Sequence, residues 1–186
     1  SFEILTHPNR ANYDLSSVTD FAAGGAPRPV EHVRRIKEEM GGGQPLLGYG
    51  LTETNGVGCG NFRDNYLAKP NSTGRASKPL VDVAILDGSG KPMPQGERGE
   101  VAIRSICNFK EYWGRPDATA DAFTADRYFL TGDIGYLDED GYLFIVDRKK
   151  DIIIRGGENI SCQEVEAALY EHAGVAEAAV FGLPDE

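Results

Sequence analysis

The stretch Tyr128–Glu158, which reads YFLTGDIGYLDEDGYLFIVDRKKDIIIRGGE, carries the pattern that decides the fold of this chain. Aromatic and branched residues alternate or cluster on both sides of DEDG at 138–141, whose glycine can adopt the positive backbone angle of a tight turn. This pattern predicts an antiparallel hairpin that is bracketed by Asp133 and Arg148. The acidic turn lacks the spacing of oxygen ligands that a calcium loop needs, so it does not indicate a calcium site.

Asp133 and Arg148 allow two interpretations. From these two residues alone, an ion pair at the end of the hairpin is favoured. A functional use stays open, because a carboxylate can accept hydrogen bonds from both hydroxyls of a ribose, and an arginine can donate to the same sugar or to a phosphate.

Composition and charge exclude several classes of protein. The chain has 186 residues, enough for one domain or one and a part, and its formal net charge of −10 repels the phosphates of nucleic acid. No stretch of about 18 apolar residues is present that could cross a bilayer. Cys59, Cys107 and Cys162 are odd in number and far apart, which indicates reduced thiols in a cytosolic protein. Because Ser1 is not a methionine and Glu186 follows an expected strand, we expect a piece of a longer chain.

The first part of the chain predicts a strand, a turn, a helix and a second strand. Residues 1–17 have a loop-like composition, and a short strand over 18–23 leads into GGAP at 24–27. Apolar residues then recur at helical spacing over 30–40 until three glycines end the helix, and a strand begins at 45. Glycines at 24–25 fit either a plain tight turn or a place where a flat ligand approaches the backbone.

The turn after the second strand, GYGLTET at 48–54, is a candidate site because ligands bind where strand ends of an α/β sheet meet. Tyr49 could stack on a base and Thr52 could donate to a phosphate. Glu53 could hold Mg²⁺, which prefers one or two carboxylates together with nucleotide oxygens. A capped loop with a buried tyrosine is the alternative.

The next section, up to about residue 146, is expected to be rich in β-strands. Strands over 81–86 and 99–104 are joined by a hairpin tip at 88–91, and a short helix is expected over 116–123. Tyr112, Trp113 and Phe123 are interpreted as packing partners of that helix.

The character of the sequence changes after Arg148. The tetrapeptide RKKD is too polar for a core strand and predicts a link between two compact units, whereas 152–154 predicts a buried strand. Ser161 and Glu164 have the spacing of a capping box at the start of a helix, whose inner face would contain Val165, Ala168, Leu169 and His172. A further strand is expected over 175–181.

Three motifs in this order, YGLTET at 49–54, YFLTGD at 128–133 and DRKKDIIIRGGENI at 147–160, resemble the adenylate-forming superfamily of acyl-CoA synthetases, luciferases and peptide-synthetase adenylation domains. The resemblance covers nearly the whole chain. It is strongest to fatty-acyl and related acyl-CoA ligases, because RKKD, the GGENI phrase and the ending FGLPDE are typical of that branch.

The resemblance implies a mixed α/β and α+β fold that is part of a larger enzyme. Residues 1–75 would be the end of the α/β layer of the large domain, and residues 76–147 its β-rich subdomain. Residues 148–186 would be the hinge and the first part of the small C-terminal lid domain.

The resemblance also implies the reaction. Members make an acyl adenylate from ATP and a carboxylic acid with loss of pyrophosphate, rotate the small domain, and pass the acyl group to coenzyme A. ATP, Mg²⁺ and coenzyme A are therefore the expected cofactors, and a small carboxylic acid is the expected partner. Neither nucleic acid nor a transmembrane segment is expected.

By the same resemblance, Thr52 and Glu53 would be catalytic, with Glu53 on the metal, and Lys150 would be the hinge. Asp133 would hold the ribose hydroxyls and face Tyr49 across a gap sized for adenosine. The expected nucleotide and coenzyme A contacts are Gly24, Gly25, Ala26, Pro27, Tyr49, Gly50, Thr52, Asp133, Arg148, Gly156 and Gly157.

Two parts of the superfamily pattern, the phosphate loop and the adenylation lysine, lie outside this chain, so we expect residues 1–186 by themselves to be nearly inactive. An aryl-acid ligase is the nearest alternative within the superfamily. A non-catalytic nucleotide-binding module and an unrelated domain that mimics the motifs are the others. Uncovered apolar faces also predict a possible homodimer of this piece.

Overall fold

Two open four-stranded sheets carry most of the fold, with a two-stranded ribbon after them. The computed structural model describes residues 2–25, 28–155, 158–170, 172, 174–175 and 178–183. In chain order the elements are α1 (Phe2–Thr6), β1 (Asp20–Gly24), α2 (Val30–Glu39), β2 (Gln44–Tyr49), β3 (Cys59–Phe62), α3 (Asp64–Ala68), β4 (Arg75–Ala76), β5 (Val81–Leu86), β6 (Gly99–Ser105), α4 (Pro116–Asp121), β7 (Phe129–Leu137), β8 (Leu143–Arg148), β9 (Ile153–Arg155), β10 (Glu158–Ile160) and α5 (Cys162–Tyr170), with 3-10 turns at Arg10–Asn12 and Thr52–Thr54.

The first sheet has the order β1-β2-β3-β4, with β1 parallel to β2 and the other neighbours antiparallel. Helix α2 begins at Val30, directly after Pro29, which has a φ of −54° and a ψ of 138° and lies outside the helix as its N-cap. Val33, Ile36 and Met40 recur at helical spacing and are completely buried. The helix ends where Gly41 takes a φ of 62°. The predicted first strand, helix and second strand are therefore confirmed.

The second sheet is an antiparallel meander with the order β5-β6-β7-β8. The turn between β7 and β8 is the predicted one, because Gly141 has a φ of 76° and the Asp138 carboxylate accepts the main-chain N–H of Tyr142 at 2.8 Å. Asp133 and Arg148 lie opposite each other in the register of this hairpin. The hairpin prediction is therefore confirmed.

The two sheets are joined by a shared core and by main-chain hydrogen bonds. Cys59 of β3 belongs to the same buried cluster as Val101 of β6 and Leu143 of β8. The main chain of Leu143 accepts a hydrogen bond from Thr73 at 2.9 Å and donates one to Gly74 at 2.8 Å. These contacts join β3 and the segment after it to β6 and β8 of the second sheet.

Helix α5 is tied to β8. Asp147 is only 1% exposed, and its carboxylate accepts the main-chain N–H of Cys162 at 2.9 Å, which places a negative charge at the start of the helix. The Ser161 hydroxyl donates to the Val146 carbonyl at 3.2 Å and accepts the N–H of Glu164 at 3.1 Å. The half of the predicted capping box in which the Ser161 side chain accepts the N–H of Glu164 is therefore present.

Two expectations for the first two thirds of the chain are wrong. Residues 1–17 are not only loop: they contain α1 and a 3-10 turn, because Leu5 packs against Ile36 of α2 and is 3% exposed. Trp113 does not pack on the helix after it, because its side chain is 95% exposed. The ring of Phe109 instead fills the space beside Tyr112, with ring centroids 4.6 Å apart.

The expected burial after Arg148 is also wrong. Ile152 and Ile153 are only partly buried, since β9 belongs to a two-stranded ribbon that has no further described strand beside it. On α5, Val165 and Leu169 are 37% and 44% exposed. An apolar stripe marks a face that can be buried, but burial also requires another element to cover it.

The strand expected over 175–181 is not formed by the residues of this stretch that the structure describes. The N–H of Val180 donates to the Glu166 carboxylate at 2.8 Å instead of joining a strand ladder. Among the described helices, none is long and apolar enough to span a membrane.

Candidate functional site

Asp133 follows an irregular position of β7 at Gly132, which is held by the Thr131 side chain and by contacts to β6. Gly132 has a φ of 74°, and the N–H of Asp133 donates to the Thr131 hydroxyl at 3.1 Å. That hydroxyl in turn donates to the carbonyl of Val101 at 2.8 Å, and the Glu100 carboxylate accepts the N–H of Gly132 at 3.2 Å. These contacts, two of which reach β6, hold the main chain next to Asp133 in place.

Tyr49, Asp133 and Arg148 form one hydrogen-bonded cluster. The Tyr49 hydroxyl, at the end of β2, donates to Asp133 Oδ2 at 2.6 Å. Arg148 Nε, at the end of β8, donates to Asp133 Oδ1 at 3.2 Å. Asp133 is 7% exposed, whereas the Arg148 side chain is 56% exposed. The ion pair between Asp133 and Arg148 that the sequence favours is therefore present. Because Tyr49 lies in the first sheet and Asp133 in the second, the cluster also joins the two sheets.

The cluster can accept further donors. A carboxylate has about four acceptor positions, and the described partners use two of those of Asp133. The 3.2 Å arginine contact is longer than a strong charge-assisted hydrogen bond of about 2.7–2.9 Å, so Arg148 is held less tightly by Asp133 than Tyr49 is. Burial, together with the negative charge of Asp133, raises the pKa of Tyr49, which keeps its hydroxyl a neutral donor.

The expected adenosine-sized gap between Tyr49 and Asp133 is wrong. The two side chains touch, because a buried carboxylate requires hydrogen-bond donors and the tyrosine is long enough to reach it from the first sheet. A nucleoside that uses both residues would have to lie against the tyrosine ring and the edge of the carboxylate, not between them.

The turn after Tyr49 is compact. A Cβ atom on Gly50 would lie 2.5 Å from the main-chain carbonyl of Gly56, so a side chain has no room there. Thr54 is completely buried, and its hydroxyl accepts the N–H of Leu51 at 3.0 Å, which closes the 3-10 turn. Thr52 is exposed at the start of this turn.

Glu53 is partly buried in the same turn and accepts a hydrogen bond at Oε1 from the Tyr112 hydroxyl, at 2.9 Å. Burial and then this contact raise the pKa of Tyr112. In the part of the chain that the structure describes, no group of three His, Cys, Asp or Glu side chains could form a protein-only metal site. A single hard carboxylate fits Mg²⁺ that is held mainly by the oxygens of a nucleotide.

The other predicted glycine turn lies beside Tyr49 in the first sheet. Gly24 is paired with Gly48, and a Cβ atom on Gly24 would lie 3.1 Å from the Gly48 carbonyl oxygen. Gly25 follows with a φ of 82°. Ala26 and Pro27 lie outside the described residues.

Of the predicted hinge and coenzyme A residues, the structure describes only the hinge residue Lys150. Lys150 is exposed in the turn that follows β8, two positions after Arg148. Gly156 and Gly157 lie outside the described residues, between β9 and β10. The site cluster therefore contains Tyr49, Asp133 and Arg148, with Thr52 and Glu53 on the adjoining turn.

Sequence reasoning missed three residues that support the site. The sequence alone indicates Tyr112 only as a packing residue, and it shows Thr131 only as part of the YFLTGD motif at 128–133. Glu100 carries no signal in the sequence, yet its carboxylate accepts the Gly132 N–H and forms an ion pair with Lys149 at 2.8 Å. The bonds Tyr112–Glu53, Thr131–Val101 and Glu100–Gly132 join residues that are distant in sequence, so no local pattern predicts them.

Comparison with known proteins adds an independent finding. The sequence profile described as AMP-binding enzyme matches residues 2–113. The chain is 43% identical over 183 residues to a long-chain-fatty-acid–CoA ligase of Bacillus subtilis, covering 98% of this chain and 32% of that protein. It is 41% identical over 182 residues to a feruloyl-CoA synthase of an Amycolatopsis species, covering 98% and 36% respectively.

The fold is also found in solved structures. O-succinylbenzoate coenzyme A synthetase from Bacillus subtilis, solved in complex with AMP, matches with a TM-score of 0.87 at 31% identity, covering 100% of this chain and 37% of that one. This chain thus spans about a third of the length of the relatives that it matches.

Proposed function

The chain belongs to the AMP-binding enzyme family, and from this premise we propose that the whole protein activates a carboxylic acid with ATP and transfers it to coenzyme A. The resemblance to adenylate-forming enzymes and the mixed α/β fold class that the sequence predicted are both confirmed. The relatives carry the names of acyl-CoA ligases and synthetases, which supports an AMP-forming acid–thiol ligase.

The observation that carries this proposal is the contact of Tyr49 and Arg148 with Asp133 where the two sheets meet. Asp133 would accept the two ribose hydroxyls with its remaining acceptor positions, while the Tyr49 ring would stack on adenine. Arg148 would move to the edge of the sugar. Buried carboxylates are costly unless they are paired, so a donor-rich sugar is a suitable ligand for this place.

The chemistry would depend on positioning and charge. A carboxylate oxygen of the acid attacks the α-phosphorus of ATP, pyrophosphate leaves, and an acyl adenylate forms. The thiol sulfur of coenzyme A then attacks the acyl carbonyl, the thiol loses its proton, and AMP leaves. Thr52 would donate to a phosphate oxygen and Glu53 would hold Mg²⁺, which would neutralise phosphate charge.

The remaining sequence assignments belong to the same proposal. Gly24, Gly25, Ala26, Pro27 and Gly50 would border the nucleotide and acyl pocket, Lys150 would be a hinge, and Gly156 and Gly157 would contact coenzyme A. The units 1–75, 76–147 and 148–186 would be parts of a large and a small domain. By themselves, residues 1–186 would have little activity.

The cellular compartment and the oligomeric state of the protein also belong to the proposal. The described cysteines are free thiols, which supports a reducing compartment such as the cytoplasm. A homodimer stays a prediction, and sedimentation of the purified protein would test it.

Two classes of acid are in competition. The match to a fatty-acid ligase favours an aliphatic acid, whereas the match to a feruloyl-CoA synthase favours an aromatic one. The test uses the protein at its full encoded length with aliphatic acids of graded length and hydroxycinnamic acids, and it measures pyrophosphate release and thioester formation. We expect an ATP- and CoA-dependent thioester from aliphatic acids. Thioester from aromatic acids alone would favour the second class, and none from any acid would favour a non-catalytic module.

A further inference from the structure

Three hydrogen bonds fasten the segment after β6 to the turn that carries Glu53. The Tyr112 hydroxyl donates to Glu53 Oε1 at 2.9 Å, and the main-chain N–H of Phe109 donates to the Glu53 carbonyl at 2.6 Å. The side-chain amide of Asn55 donates to the carbonyl of Cys107 at 2.6 Å. The turn and the segment therefore form one unit, although 59 residues separate Tyr112 from Glu53.

Tyr112 is itself held in place. Its N–H donates to the Thr119 hydroxyl at 2.9 Å, and its ring lies 4.6 Å from that of Phe109. The Phe109 ring also contacts Phe123 and Phe129, at centroid distances of 5.4 and 5.6 Å. The hydroxyl is thus presented to the carboxylate from a packed aromatic cluster, which restricts its movement.

We infer that Tyr112 is a positioning residue that orients the Glu53 carboxylate for a divalent cation bound together with a nucleotide. This inference rests on the proposed function. A glutamate side chain has several rotatable bonds, and one hydrogen bond from a rigid donor to Oε1 fixes the direction of Oε2. In the described part of the chain Oε2 has no hydrogen-bond donor, so its lone pairs are open to a cation.

The type of donor matters for this role. A lysine or arginine in this place would neutralise the carboxylate and compete with the metal ion. The phenol is a neutral donor, so it leaves the negative charge that attracts Mg²⁺ intact. The segment is already anchored without the tyrosine, because the N–H of Phe109 donates to the main-chain carbonyl of Glu53. The bond from Tyr112 to the Glu53 side chain therefore does more than hold the segment in place.

The chain offers a matched control. Tyr128 makes a similar contact away from this turn, because its hydroxyl donates to Asp82 Oδ2 at 2.6 Å. Tyr112→Phe and Tyr128→Phe each remove one tyrosine–carboxylate hydrogen bond and keep the ring. Only the first variant touches Glu53.

The experiment measures Mn²⁺ binding by electron paramagnetic resonance in the presence of a non-hydrolysable ATP analogue, with the protein at its full encoded length. Calorimetry of AMP without metal and the melting temperature are measured alongside. We expect Tyr112→Phe to weaken Mn²⁺ binding about tenfold, at the lower end of the loss seen when a ligand's supporting hydrogen bond is removed. Its metal-free AMP affinity should stay within about twofold, and Tyr128→Phe should change neither value.

A double variant keeps the test decisive if Tyr112→Phe also lowers the melting temperature. In a Glu53→Gln background, Tyr112→Phe should weaken Mn²⁺ binding no further, because both changes act through one carboxylate. If Tyr112→Phe binds Mn²⁺ as tightly as the wild type, or loses Mn²⁺ and AMP affinity equally, the inference about Tyr112 is overturned, but the proposed function is not. Failure of the unmodified protein to bind AMP or the analogue would overturn the proposed function as well.

Discussion

The Tyr49 hydroxyl donates to Asp133 Oδ2 at 2.6 Å, although the two residues are 84 positions apart. Tyr49 ends β2 of the first sheet and Asp133 lies in β7 of the second. This single hydrogen bond therefore crosses the junction of the two sheets, and it connects the two motifs on which the nucleotide proposal depends.

Replacing Tyr49 with phenylalanine tests the structural value of this bond. The variant leaves a buried carboxylate without one of its donors, so we expect the free energy of unfolding to fall by about 1–3 kcal/mol. Tyr13→Phe is the control, since the Tyr13 side chain is 67% exposed and should change stability by less than about 0.5 kcal/mol. Denaturant titration measures both, and equal stability of the two variants would contradict the expectation.

The raised pKa of Tyr49 gives a pH dependence of known sign. Because the pKa in the folded state is above the ordinary value of about 10, the phenol contributes stability that is complete below pH ~10 and is lost as pH rises toward the folded value. Absorbance titration should show no difference between wild type and Tyr49→Phe from about pH 9 to 11. If Tyr49→Phe instead shows the ionisation of one tyrosine fewer than the wild type in that interval, the pKa of Tyr49 is not raised in the folded protein.

Gly50→Ala should destabilise the turn that carries Thr52 and Glu53. The new Cβ atom would meet the main chain of Gly56 at 2.5 Å, and main-chain atoms cannot rotate away as a side chain can. We expect a loss of about 1–3 kcal/mol. Gly48→Ala is the matched control, because a Cβ atom there has no heavy atom within 4 Å. A melting temperature of Gly50→Ala that equals that of Gly48→Ala would show that the turn can open.

The sequence predicted the parts of the fold whose signals are local. The β7–β8 hairpin follows from alternating residues around a glycine turn, and α2 follows from a helical repeat between Pro29 and Gly41. The sequence shows the apolar residues of α5 but not their exposure, because a repeat does not reveal whether another element covers it. Leu5 belongs to no such repeat, so the sequence does not predict α1.

The site depends on contacts that local patterns do not contain. Asp133 and Tyr49 were linked through the resemblance to a superfamily, not through their own spacing. The Tyr112–Glu53 bond joins residues 59 positions apart, and the Lys149–Glu100 ion pair joins residues 49 apart. Only the folded chain brings these partners together.

The central claim is that Asp133 holds the ribose of an adenine nucleotide. Calorimetry of AMP and of 2′,3′-dideoxy-AMP with the full-length protein and its Asp133→Ala variant tests this claim most directly. We expect AMP to bind the variant at least about tenfold more weakly, since hydrogen bonds to a charged group contribute about 1.5–3 kcal/mol each and 1.4 kcal/mol corresponds to tenfold. The dideoxy analogue should bind both proteins alike. Equal AMP affinity of the two proteins would contradict the claim.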